Sequence, residues 1–265
     1  MDRNQFENEI NDRKTELYKL VNANGMSIYI TNYGARVVSM NVPDKNGILE
    51  DVVLGFDHLA PYQLSEERYY GAIVGRYCNR IAHAEYTLDG NTIQLEANHG
   101  EHILHGGQVG FHDKVWNVIK KGESILELSA LSKAGEAGFP GNVHIKLLFT
   151  LSDLNELIVQ YEANTDEPTP FNICHHFYFN LKGAGNGTIL DHYLRIHADT
   201  YTPLDKAQIP TGEIKSVEDT PFDFRAWRKI GEQQDMFNGH FKNQQGYDQN
   251  FVLQSNRSNI QLAAE

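Results

Sequence analysis

The chain has 265 residues, 40% hydrophobic and 11% aromatic, enough apolar material for a sizeable core in one large all-β domain or two smaller ones. Its 23 basic and 35 acidic side chains give a formal net charge of −12, and no Lys/Arg run or basic stripe is present. This argues against a nucleic-acid partner and disfavours a polyanionic substrate, leaving neutral small molecules open.

The start, MDRNQFENEINDRK, is charged and lacks the apolar core of a signal peptide, and no apolar run reaches the ~18 residues of a membrane span. The expectation is a soluble, cytoplasmic protein without a membrane partner. Residues 2–13 read either as a weak helix, with Phe6 and Ile10 on one side, or as an extended arm. Strand signals then dominate: Ser27 to Ile30, Ala35 to Val42 after Asn32-Tyr33-Gly34, and Ile48 to Leu54 after the turn signal Asn46-Gly47. Asp89-Gly90 joins AEYTL to NTIQL as a hairpin. Short β-rich runs follow at 115–119, 125–131, 144–151 and 156–163, with a turn at 153–155, and again at 193–198 and 250–253. Many short strands with turn residues between them predict an all-β fold, a sandwich or barrel with few helices, in a single domain over 1–265. The two cysteines, Cys78 and Cys174, are far apart with no CxxC spacing, which suggests neither a disulfide framework nor a zinc ribbon.

Four segments carry candidate chemistry. In NICHHFYFNL, Asn172 to Leu181, two adjacent histidines lie among aromatic and apolar residues. If the segment is extended, His176, Tyr178 and Asn180 share one face and His175, Phe177 and Phe179 the other, so one histidine can face a ligand while its neighbour is structural. In VGRYCNRIA, Arg76 and Arg80 offer planar donors suited to oxygen-rich ligands, and Asn79 offers a donor and an acceptor. Both arginines also read as surface residues or as partners of buried carboxylates. NHGEHILHGGQVGFHD holds His99, His102, His105 and His112. Its glycines argue for a loop rather than a metal-binding helix, so a loop presenting His105 to a ligand is preferred and no metal is expected. In GYDQNFVL, Asp248 reads either as a carboxylate holding two sugar hydroxyls or as a turn cap.

Taken together and in order, NYGARVVSMNVPDKNG, VGRYCNRIA, ILHGG, HHFYFNL and YDQNFVL resemble the aldose 1-epimerase (galactose mutarotase) family, from about Leu17 to the end of the chain. The resemblance implies a large antiparallel β-sandwich with a sugar-binding cleft. It implies interconversion of the α and β anomers of free aldoses such as galactose and glucose, with no metal or organic cofactor. It makes His176 the general acid on the ring oxygen and sets His105 beside the ring and C1 oxygens. Asn79 and Arg80 then contact sugar hydroxyls, Asp248 holds ring hydroxyls, and Tyr178 completes the wall around His176. The family's general base is a glutamate near a T-G-N motif beyond the region matched here. The chain is therefore expected to lack the family's last strands and that base, and nothing around Glu265 fits it for the role. A non-catalytic carbohydrate-binding module and a hexose-phosphate epimerase remain as alternatives.

Overall fold

The computed structural model describes residues 1–232, 246–254 and 260–265. The chain divides into two compact units, Met1–Asn186 and Gly187–Glu265.

The first unit is built on two four-stranded antiparallel meanders. One runs through Leu17–Val21, Ser27–Thr31, Arg36–Pro43 and Leu49–Asp51, the other through Asn117–Lys121, Ile125–Ser132, Val143–Leu151 and Leu157–Thr165. In the two central strands of the second meander, buried residues alternate with more exposed ones, as a sheet with one face on a core requires. Leu126, Leu128, Leu147 and Phe149 from that face meet Leu20, Ile28, Ile30 and Val37 from the first meander, with Trp116 and Phe111 filling the same core. Each such side chain contributes about 1.5–3 kcal/mol by leaving water. This is the expected all-β sandwich.

The predicted turns hold. Asn46-Gly47 lies in a loop where the Asp44 carboxylate accepts from the Asn46 and Ile48 amides, each at 2.8 Å. Asp89 and Gly90, at φ 50° and 80°, close the hairpin between Glu85–Leu88 and Asn91–Gln94. The segment 2–13 is neither a full helix nor a plain arm. A single 3-10 turn at Arg3–Phe6 leads into a hairpin of Asn8–Ile10 and Arg13–Thr15, reversed at Asn11 and Asp12 with φ 51° and 60°. These are asparagine and aspartate, the side chains that tolerate left-handed backbone best.

Between the meanders the backbone of residues 71–78 forms a spine. Ile73–Val74 pairs antiparallel with Cys174–His175, and the His176 amide donates to the Ala72 carbonyl at 2.8 Å. On its other side the Val37 amide donates to Gly71 at 2.9 Å. Gly71 has φ 61°, and a Cβ there would sit 1.9 Å from the Val37 carbonyl oxygen, so only glycine allows this approach. The Leu54 amide donates to Tyr178 and the Asn180 amide to Val52, which seats the far end of the histidine segment.

The second unit is described in part. Tyr193–Leu194 pairs with Arg228–Lys229, and Thr200–Thr202 pairs with both Lys215–Ser216 and Asn250–Val252. Tyr201, Val217 and Phe222 form its small core. Two of the runs read from sequence are shorter than expected: 193–198 keeps two strand residues and 48–54 keeps three. Among the described residues no helix is long and apolar enough to cross a membrane.

Candidate active site

The segment 172–181 alternates as its sequence requires, although only Cys174–His175 is a regular strand. His175 stacks on Phe177 at 4.2 Å between ring centroids, Phe177 stacks on Phe179 at 5.2 Å, and Phe149 meets the His175 edge. Enclosure by these rings pushes the His175 pKa down to about 3, so it is a neutral packing residue. On the opposite face, His176 and Tyr178 lie 5.0 Å apart, and Tyr178 meets Tyr70 edge-on at 4.9 Å.

The His176 ring meets the His105 ring at 5.0 Å, nearly perpendicular. His105 arrives from the glycine-rich loop, which is a loop as expected. Gly106, at φ 86°, packs where a Cβ would be 1.9 Å from the Gly75 carbonyl oxygen. The Asn98 side chain clamps the loop by donating to the Leu104 carbonyl at 3.0 Å and accepting from the Leu104 amide at 2.7 Å. The Asn79 amide donates to His105 Nδ1 at 3.1 Å, and the Cys78 thiol lies 3.9 Å from the same nitrogen. A nitrogen that accepts carries no proton, so the neutral ring bears its proton on Nε2 and acts there as a donor. Burial, then the His176 and His112 imidazoles, push the His105 pKa down to about 3. His105 is therefore neutral near neutral pH.

Asn79 and Arg80 adjoin this histidine. Asn79 is exposed at φ 67°, and its side-chain oxygen accepts from the Arg80 amide at 2.8 Å. The Arg80 charge is felt at both His105 and His99. Arg76, four residues earlier, is not part of the site. It is 2% exposed, and its guanidinium donates to the carbonyls of Ser132, Lys133, Pro140 and Gly141 and to the hydroxyls of Ser132 and Thr169. It lies neither on the surface nor in a carboxylate pair, and it works as a structural tie.

Two members of the cluster were not picked out as site residues from sequence. Tyr69 touches three imidazoles, with centroids at 4.6 Å from His105, 4.8 Å from His112 and 5.7 Å from His176. Burial raises its pKa, so it keeps its proton. The one sequence signal was the aromatic pair Tyr69-Tyr70 just ahead of the spine. His112 is fully buried with Nε2 at 3.5 Å from the Asp113 carboxylate, and burial pushes its pKa down to about 4 despite that neighbour. Asp113 is itself paired with Arg68 and accepts from the Tyr33 hydroxyl at 2.8 Å.

Asp248 belongs to the second unit, where it is exposed at the lead-in to Asn250–Val252. The amide-rich loop ahead of it falls outside the described residues. Glu265 also belongs to that unit, and its carboxylate is engaged by Arg195 and by His197 at 3.1 Å.

The described residues bring one group of possible metal ligands together, His83, Glu101 and His102. His102 Nδ1 accepts from the His83 amide at 3.0 Å, so its proton sits on Nε2, the atom that faces Glu101 at 3.9 Å. A protonated nitrogen has no lone pair for a metal, and the group reads as a hydrogen-bonded loop closure.

The sequence model of the aldose 1-epimerase family matches residues 16–265. The chain is 40% identical to the galactose mutarotase of Bos taurus over 234 residues, which cover 88% of this chain and 66% of the bovine one. It is 39% identical to the aldose 1-epimerase of Haemophilus influenzae over 241 residues, covering 90% and 68% respectively. Among solved structures, the galactose 1-epimerase of Lactobacillus acidophilus NCFM superposes with a TM-score of 0.84 at 28% identity, over 97% of this chain and 74% of that one.

Proposed function

The chain belongs to the aldose 1-epimerase family, and from that premise we propose that it binds a free aldose and interconverts its α and β anomers by general acid–base ring opening. The observation that carries the proposal is the His105–His176 pair, two imidazoles 5.0 Å apart against the Tyr69 ring, with His105 locked in one tautomer by a backbone amide.

Mutarotation requires a hemiacetal to open, rotation about C1–C2 and reclosure. A base must take the C1 hydroxyl proton while an acid protonates the ring oxygen. His176 is assigned the acid, and such a positioned group contributes ~10²–10⁴-fold. His105 stays neutral and donates from Nε2, which suits it to stabilise charge developing on a sugar oxygen without competing for the proton. Arg80 and Asn79 bind hydroxyls, and Tyr178 walls the His176 side. No side chain among these is assigned as base, and the C1 hydroxyl proton passes to solvent water. Asp113 is paired with Arg68, and Glu265 is engaged by Arg195 and His197.

The test is polarimetry of fresh α-D-galactose with the chain, its His176→Ala variant and buffer. The expected result is an acceleration over buffer that His176→Ala reduces by ~10²-fold or more. Equal acceleration by both proteins overturns the role of His176. A second reading, a sugar-binding module, rests on the engaged state of Asp113 and Glu265. Calorimetric binding of galactose by wild type with no rate above buffer selects it.

A further inference from the structure

The two cysteines are 96 positions apart in the sequence, yet the spine brings them together. Tyr77 bridges Asn172 in parallel, the Cys78 amide donates to the Asn172 carbonyl at 2.7 Å, and the Asn172 side chain returns a bond to the Cys78 carbonyl at 3.3 Å. Two residues on, Cys174 pairs with Val74 of the same spine. The thiols of Cys78 and Cys174 are near enough for each to shift the other's pKa. Both are free and half-buried.

We propose that Cys78 and Cys174 form a modification site for peroxides, in which oxidation of Cys174 is captured by Cys78 as an intramolecular disulfide beside His105. The Cys78 S–H has His105 Nδ1 as an acceptor at 3.9 Å and the Cys174 thiol as a neighbour. The neighbouring thiols move in opposite directions, the Cys174 pKa lowered and the Cys78 pKa raised, which favours the Cys174 thiolate. Cys174 is thus the attacking thiol and Cys78 the resolving one.

The Cys174 thiolate attacks one oxygen of hydrogen peroxide. The O–O bond breaks, a sulfenic acid forms on Cys174, and the departing hydroxide takes a proton to become water. The Cys78 sulfur then attacks the Cys174 sulfur, the S–O bond breaks, and a second water leaves with the Cys78 proton. The two thiols lose two electrons in all, and the peroxide is reduced to two waters. A thiol reductant reverses the bond by exchange.

Cys78 directly precedes Asn79, whose amide fixes the His105 tautomer. In the disulfide, Cys78 no longer has an S–H to offer Nδ1, and a new tether acts on the backbone that holds His105. The consequence for turnover rests on the proposed function; the disulfide itself does not.

The test treats the reduced full chain with hydrogen peroxide and maps its peptides without reduction. The expected product is a single cross-link between Cys78 and Cys174, with loss of both free thiols and full return on adding dithiothreitol. In Cys78→Ser, Cys174 should be trapped by dimedone as a sulfenic acid. The wild-type map stands on its own even if that variant folds poorly. Retention of both thiols, independent overoxidation of each cysteine, or links only between chains overturns the proposal. In polarimetry, oxidation should lower the wild-type rate several-fold and reversibly, and leave Cys174→Ser unaffected. A cross-link in a chain inactive in both redox states removes the epimerase reading alone. Normal turnover without a cross-link removes the disulfide alone.

Discussion

The segment 172–181 and the loop 98–113 both deliver histidines to one cluster, but they hold them by different physics. In 172–181 the pleat does the work: adjacent residues point to opposite faces, so His175 packs on Phe177 while His176 meets His105. In 98–113 there is no period. Two of its imidazoles are aimed by single bonds, His102 by the His83 amide and His105 by the Asn79 amide, and the loop itself is held by the Asn98 clamp. The first arrangement tolerates change at any one residue, since ladder bonds on either side fix the backbone. The second depends on single hydrogen bonds.

Both regions rest on the spine of residues 71–78, and removing its main tie should erase the difference. Arg76→Met leaves the carbonyls of Ser132, Lys133, Pro140 and Gly141 without this buried donor. Losing such a charged hub should cost about 3–5 kcal/mol. Urea unfolding of wild type and variant checks this. A loss below about 1 kcal/mol would mean that the guanidinium is replaced by water, and that the spine is not the common support.

The next effect separates the loop by its pH response. His112 has a native pKa pushed down to about 4 from an ordinary 6.5, so between those values the unfolded chain binds more protons than the folded one. Stability is therefore full above about pH 6.5 and declines as pH falls towards 4. For His112 alone this amounts to ~2 kcal/mol between pH 7 and pH 5. His112→Leu should flatten the slope of unfolding free energy against pH by about that amount, with His105 and His175 supplying the slope that remains. Equal slopes in wild type and variant would show that His112 is not held neutral by the fold.

What the sequence disclosed follows the same division. The alternation in 172–181, the strands around 125–131 and 144–151, and the turns at Asn46-Gly47 and Asp89-Gly90 were legible because a period of two and left-handed turn residues are local properties. The role of Arg76 was not, because its acceptors lie 56 to 93 residues along the chain. Tyr69 escaped for a similar reason: its partners come from two other segments, and nothing in SEERYYG marks one tyrosine over the other. The meeting of Cys78 with Cys174 depends on the pairing of 76–78 with 172–174, which no spacing rule contains. The hairpin at 8–15 was missed because Phe6 and Ile10 imitate helical spacing, whereas Asn11-Asp12 is itself a reversal signal.

The smallest predicted effect is the most direct test of the contrast. Asn98→Ala removes both bonds to Leu104, the residue before His105, at an expected cost of about 1–2 kcal/mol. Because that loop has no ladder to fall back on, His105 should lose its fixed aim, and under the proposed function the rate of galactose mutarotation should fall more than the change in melting temperature suggests. Asn172→Ala is the counterpart in the pleated segment. It deletes a side-chain bond to the Cys78 carbonyl, but the backbone bonds of Asn172 to Arg76 and Cys78 remain. Its rate should stay close to wild type. Equal losses of rate in the two variants, at matched stability, would mean that the loop histidines are held as redundantly as the pleated ones, and that the Asn98 clamp is one contact among many.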